Sequence, residues 1–347
     1  MIVDVVQIAS FTEVTRTREL SYPGRVLVEV GMDLNPGDII AEAEVPSKVI
    51  MLDVAKGLGL PQEETKACLI REVDETLEEG DVIAQCEKTL PRLFRAPVNG
   101  KIISYHKGQI ALATSTSKIL VYSNMIGKVK EVIPEYGASL FTQGSLIQGM
   151  WGNGFAASGT LQVLDAPLEV SMLENLTSDQ VVAGGICMDK EFLTGCQEKE
   201  IAGLILSSIS PDLIQEVQAV SFPVVILQGF GEIPLAEEIF NLIKSNNGSI
   251  ISVNACQRDN LKGERPEVII PKEEGDLERV LGFQKKLEVG DRVRITSGKA
   301  IYQVGKVVEL LETEQAFENG LFLPTAIVKL RSLEKIKVPQ QNLLVIG

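Results

Sequence analysis

Through residues 1–165, short apolar runs alternate with turns built on Gly, Pro, Asn and Asp, the pattern of brief strands. One unit occurs twice. Leu34-Asn35-Pro36-Gly37-Asp38-Ile39-Ile40-Ala41 returns 43 residues later as Leu77-Glu78-Glu79-Gly80-Asp81-Val82-Ile83-Ala84. In each copy the glycine makes the turn, the aspartate is suited to bonding local backbone, and the apolar run enters a strand. Residues 24–31, 100–108 and 127–132 read as further strands, each opening on Gly and a basic residue. Between the copies, residues 54–58 and 63–70 read as helical turns, the second started by Pro61 and Gln62-Glu63-Glu64. Gly152-Asn153-Gly154 with Gly159 reads as a glycine-rich turn. A dinucleotide loop must open a helix, and residues 160–164 alternate like a strand instead. Trp151, beside that turn, is expected to pack.

From about residue 178 the pattern changes. Strands are expected over 180–188, 201–209, 222–227 and 249–253, with helices over 190–198, from Ser210-Pro211-Asp212 onward, and over 235–244. Leu235, Ile239, Phe240 and Ile243 recur at helical spacing in the last of these. Strands alternating with helices of this length imply right-handed crossovers and a parallel sheet. Beyond Lys272-Glu273-Glu274-Gly275-Asp276 a third pattern begins, of strands without helices. The expectation is a multidomain α+β chain. Residues 1–165 would be β-rich with a short helical insertion, 178–272 a three-layer α/β domain with a parallel sheet, and 285–347 a module of strands alone.

Two segments carry family resemblances. Ala96-Pro97-Val98-Asn99-Gly100-Lys101-Ile102, preceded by Gly80-Asp81-Val82-Ile83-Ala84, resembles the barrel-sandwich hybrid fold of biotinyl and lipoyl carrier domains, over about residues 20–115. In those carriers the modified lysine stands eight residues before the matching proline. That position is Thr89 here and Lys88 lies one residue off, so the resemblance implies the fold without the modified lysine, and Lys88 reads as a solvated hairpin residue. Gly290-Asp291-Arg292-Val293-Arg294-Ile295 with Gly298, followed by Gly305-Lys306-Val307-Val308, resembles the KOW motif of SH3-like barrels in the transcription factor NusG and several ribosomal proteins. Over residues 285–347 it implies such a barrel, closed by segments 325–330, 335–338 and 343–346, with RNA or a protein as partner.

Composition narrows the function classes. The 347 residues are 45% hydrophobic and 23% charged, as in folded globular protein. The formal charge of -14 argues against a surface that coats nucleic acid or anionic membrane as a whole. Charge is uneven: residues 121–280 carry 10 basic and 22 acidic side chains, and residues 281–347 carry 10 and 7. A basic tail module follows an acidic body. No apolar stretch reaches the length of a membrane span and no basic-flanked leader opens the chain, so a cytoplasmic location without membrane contact is expected. Five scattered cysteines suit reduced, buried thiols.

Candidate chemistry is sparse. His106 is the sole histidine, no nucleophile elbow adjoins it, and no Cys-x-x-Cys or paired-His spacing suggests a metal. No catalytic residue, metal ligand or cofactor is therefore assigned. In open α/β sheets ligands favour the crevice beyond the strand C-termini, which offers Gly184, Gly185, Ser207, Ser208, Gln228, Gly229 and Gly231. On the tail module Arg292, Arg294, Lys299 and Lys306 offer phosphate contacts and Tyr302 a stacking surface for RNA. A net charge of only +3 over residues 281–347 attracts RNA weakly, and Arg292 and Arg294 alternate as on a strand's solvent face. The leading expectation is a non-catalytic cytoplasmic binding or assembly protein acting through protein contacts. The alternatives are a small-ligand-binding protein or enzyme using the α/β crevice, and an RNA-, ribosome- or transcription-associated factor.

Overall fold

A computed structural model describes residues 1–86, 91–165, 167–259, 263–278 and 281–347; Lys88 and Thr89 lie outside the described residues. The chain is β-rich, and its strands form sheets of eleven, seven and five strands plus two two-stranded pairs among the described residues.

The eleven-stranded sheet joins a parallel half to an antiparallel half. Val224–Phe230, Gly203–Ile209, Gln180–Cys187 and Ala156–Val163 run parallel in that spatial order. Their apolar runs suit strands covered on both faces, and every residue of Gly203–Ile209 is buried. Side-chain alternation divides them. Val182, Leu204, Leu206, Val224 and Ile226 meet helices α3 (Lys190–Glu198) and α4 (Ile214–Ala219) through Phe192, Leu193, Cys196 and Val217. Val181, Ala183, Ile205, Val225 and Leu227 meet α5 (Glu237–Ser245) through Ile239 and Ile243. Asp189 caps α3 by accepting from Glu191 N at 2.8 Å. Ser210 makes no such bond; Pro211 instead opens a tight turn, Pro211–Leu213, ahead of α4. The parallel run ends where Ile250–Asn254 pairs antiparallel with Ala156–Val163 and then with Glu267–Pro271, which joins the long strand Gly137–Gln148. Ile8–Glu19 pairs along the other side of Gly137–Gln148.

The repeated turns share one hydrogen bond. The carboxylates of Asp38, Asp81 and Asp291 accept from the backbone N–H three residues earlier, at 2.6, 3.0 and 2.8 Å. The strands Ile39–Asp53, Val82–Cys86 and Arg292–Ile295 then begin. Arg292–Ile295 belongs to the seven-stranded sheet, which also contains the first strand of the chain. Ile2–Val6 lies between Gln284–Lys286 and Leu343–Ile346, with Val5 opposite Val345 and Ile2 opposite Lys286. Val3 and Val5 are buried among Val293, Ile295, Val307, Val328 and Val345.

Ile39–Asp53 and Gln109–Tyr122 pair along their length as a ribbon at the centre of the five-stranded sheet, joined by Arg25–Val26 near one end and by Gly100–His106 at the other. At one end Ile40, Ala41, Ala43, Ile119 and Val121 pack into the body. At the other, Leu52, Ile110 and Leu112 enter a separate core with Val54, Leu58, Leu77, Ile83, Ala84, Ala96 and Ile102. Every member of that core lies within residues 50–112. Between the two cores, residues 115–118 are exposed. Helices α1 (Val54–Leu58) and α2 (Gln62–Thr65) belong to this lobe, α1 being capped by Asp53 and ended by Gly59 at φ 64°.

Candidate functional site

At the strand ends of the parallel half, Gly184 admits Leu168, whose Cδ2 would stand 2.6 Å from any added Cβ. Gly184 and Gly185 line an apolar cleft of about 220 Å³ with Leu164, Leu235 and Phe240. The polar groups beside it are engaged by the protein itself. The hydroxyls of Ser207 and Ser208 donate to Ile233 O at 2.6 and 3.0 Å, and Ile233 N donates to Ser208 Oγ at 3.1 Å. Gly229 and Gly231, at φ 134° and 99°, let the chain turn there, and Gly231 N donates to Ile209 O at 2.8 Å. Gln228 is buried and its Oε1 accepts from Arg294.

The tail-module residues divide into two groups. Arg294 is buried against Gln228, whereas strand alternation alone puts it in solvent; the difference arises because the α/β layer covers that strand face. Arg292 pairs with Glu238, and Arg331 reaches Glu238 at 3.0 Å and Glu237 at 3.5 Å. These acids open α5, where the helix dipole also favours them. Lys299 remains in solvent, paired with Glu318 at 2.7 Å beside a hollow of about 800 Å³. Tyr302, at φ 68°, is 37% exposed, and Lys306 lies opposite Arg292 in the strand register. Trp151 packs edge-on against Phe230, ring centroids 6.2 Å apart.

A polar cavity of about 830 Å³ lies elsewhere, lined by Arg16, Arg18, Gln148, Asn254, Cys256, Glu264, Arg265, Glu267 and the apolar groups Leu120, Val121, Leu281 and Phe283. Arg16 and Arg18 share a strand phase with Val14 and Leu20, both in the core, so the backbone turns the two guanidiniums inward. Arg16 grips the buried Glu267 through Nε, at 3.0 and 3.1 Å, and Nη2, at 2.5 Å. Arg18 Nε donates to Ser123 O at 3.0 Å, and its Nη1 stands 3.6 Å from Glu264. Arg265 Nη2 stands 3.6 Å from Asp4, a carboxylate that also pairs with Arg258. Burial, then repulsion from Arg258, lowers the Arg265 pKa to about 10, against the partial opposition of Asp4. Burial pushes the Cys256 thiol up to about 12, so it stands as a neutral thiol at pH 7. The sequence reading passed over these residues. Their signal is two arginines in the core phase of a strand.

His106 is the exposed last residue of the strand Gly100–His106. Among the described residues no group of three or more His, Cys, Asp or Glu is placed to hold a metal ion. No helix among them is long and apolar enough to cross a membrane. No protein-family model and no curated protein matches the chain. A solved structure, the S-adenosylmethionine:2-dimethylmenaquinone methyltransferase of Geobacillus kaustophilus HTA426, aligns with 38% of this chain and 92% of its own at 14% identity. Its TM-score of 0.27 is too low to bear on fold or function.

Proposed function

We propose that this is a non-catalytic cytoplasmic binding or assembly protein that acts through protein contacts, with the lobe of residues 50–112 as the part offered to its partner. The observation that carries this reading is the lobe's own hydrophobic core at the far end of the ribbon. The lobe also exposes Ile70 (54%), Val73 (49%) and Leu93 (47%), side chains suited to a protein interface. In this reading the lobe is a barrel-sandwich-like module without a prosthetic group, and residues 285–347 form a KOW-like barrel used for internal docking. The engagement of Arg292, Arg294 and Arg331 by Glu238, Gln228 and Glu237 supports docking over RNA, because those guanidiniums are already occupied.

The test compares the full-length chain with its Ile70→Asp/Leu93→Asp variant, isolated from the native cell. The expected result is a protein recovered with the parent and lost with the variant, while Leu321→Asp/Leu333→Asp on the tail module retains it. Substrate turnover by the purified chain, or recovery of RNA lost on Lys299→Ala/Lys306→Ala, would overturn the proposal.

A further inference from the structure

The polar cavity is lined by three arginines, Arg16, Arg18 and Arg265, and three glutamates, Glu19, Glu264 and Glu267, and two of the guanidiniums are left incompletely hydrogen-bonded. Arg18 Nη2 and Arg265 Nη1 are buried and have no hydrogen-bond partner among the described residues. Their side chains are only 10% and 3% exposed. Arginine is seldom buried to this degree unless fully paired, because an unmade bond from a charged donor is costly. The nearest carboxylates do not make up the deficit. Glu267 is taken by Arg16, Glu264 stands 3.6 Å from Arg18, and Asp4 is shared between Arg258 and Arg265. Glu19 also lines the cavity, but it is exposed to solvent.

We infer that this cavity is a binding site for a small organic oxyanion, a carboxylate or phosphate monoester, held by Arg18 and Arg265 with its apolar part against Leu120, Val121, Leu281 and Phe283. Water would satisfy a lone N–H, but an oxyanion gives each guanidinium a charge-assisted bond, roughly twice as strong as a neutral one. The repulsion Arg265 feels from Arg258 and Arg294 favours the same ligand class, since a negative charge bound beside Arg265 relieves it. A cavity of about 830 Å³ accommodates a metabolite-sized molecule. The site is assembled from distant parts of the chain: Arg18 comes from Ile8–Glu19, Val121 from the root of the ribbon, and Arg265 from the segment before Glu267–Pro271. It is separate from the α/β crevice and from the lobe, and does not depend on the protein-contact reading.

The test is calorimetric titration of the full-length protein with phenyl phosphate, inorganic phosphate and benzoate, each against chloride at equal ionic strength. The expected result is one bound oxyanion per chain, with phosphate and carboxylate arms separating the two head groups. Arg265→Met is expected to raise Kd at least about tenfold, the loss of one charge-assisted bond, while Lys299→Ala leaves Kd unchanged. Arg18→Met also loses the bond to Ser123 O, so the parent chain supplies a second readout: saturating oxyanion raises its Tm by mass action, and that rise is lost in Arg265→Met. Absence of binding beyond chloride, undiminished affinity in folded Arg265→Met, or a Tm unmoved by saturating oxyanion would each overturn the inference.

Discussion

Truncating Leu112 to Ala tests whether the lobe is an independent cooperative unit. Leu112 is fully buried, and its Cγ lies where a Cβ on Gly100 would come within 2.8 Å, so the neighbouring strand is already in close contact. Removing the isobutyl end costs the lost transfer energy plus that of the cavity left behind, about 3–4 kcal/mol in a site that closes poorly. If the core within residues 50–112 opens as one unit, that energy reduces amide-exchange protection there by about two to three orders of magnitude. Amides of Gly203–Ile209, in the body, should keep their protection. Hydrogen-exchange mass spectrometry on parent and Leu112→Ala chains reads both at once. Equal loss in the lobe and in Gly203–Ile209 would show that the two share one cooperative unit, refuting the reasoning.

Other consequences follow from the same contacts. Arg292→Ala should weaken docking of the tail module by at most about 1 kcal/mol, since the pair with Glu238 is substantially exposed, and should cost less once Glu238→Ala has removed its partner; fully additive losses in urea denaturation would contradict this. Glu267→Gln leaves Arg16 without its buried partner and should cost about 3 kcal/mol in equilibrium unfolding, more than Arg16→Met/Glu267→Leu together; the reverse order would refute it. Burial raises the thiols of Cys187 to about 11 and of Cys196 to about 12. The folded chain then keeps protons that the unfolded chain sheds above about pH 9, so stability should fall as pH rises from 9 toward 12. Cys196→Ala should flatten that fall in a Tm profile, and an unchanged slope would contradict the assignment.

Local patterns were legible in the sequence and long-range pairings were not. Residues 54–58 and 190–198 show their helices because caps, helix formers and apolar spacing agree within a few positions. The Gly-Asp turns are legible for the same reason, each aspartate bonding only three residues back. Nothing near Ile2–Val6 announces that it pairs with Leu343–Ile346, because that choice depends on which sheet edge the folded body leaves available. The crevice residues were chosen as small polar groups at strand ends, a feature shared by ligand loops and by loops stitched to their own protein. Ser207 and Ser208 are of the second kind, tied to Ile233. Arg16 and Arg18 were overlooked because charge ordinarily marks a solvent face, and only the surrounding sheets reveal that Val14 and Leu20, in the same phase, point into the core.

The most direct measurement places a photo-activated cross-linking residue at Leu93 of the lobe and, in a separate chain, at the still more exposed Leu333 of the tail module, in living cells. Contact through the lobe predicts a discrete protein adduct at Leu93 and none at Leu333. An adduct at Leu333 alone, or to RNA from either position, would contradict it.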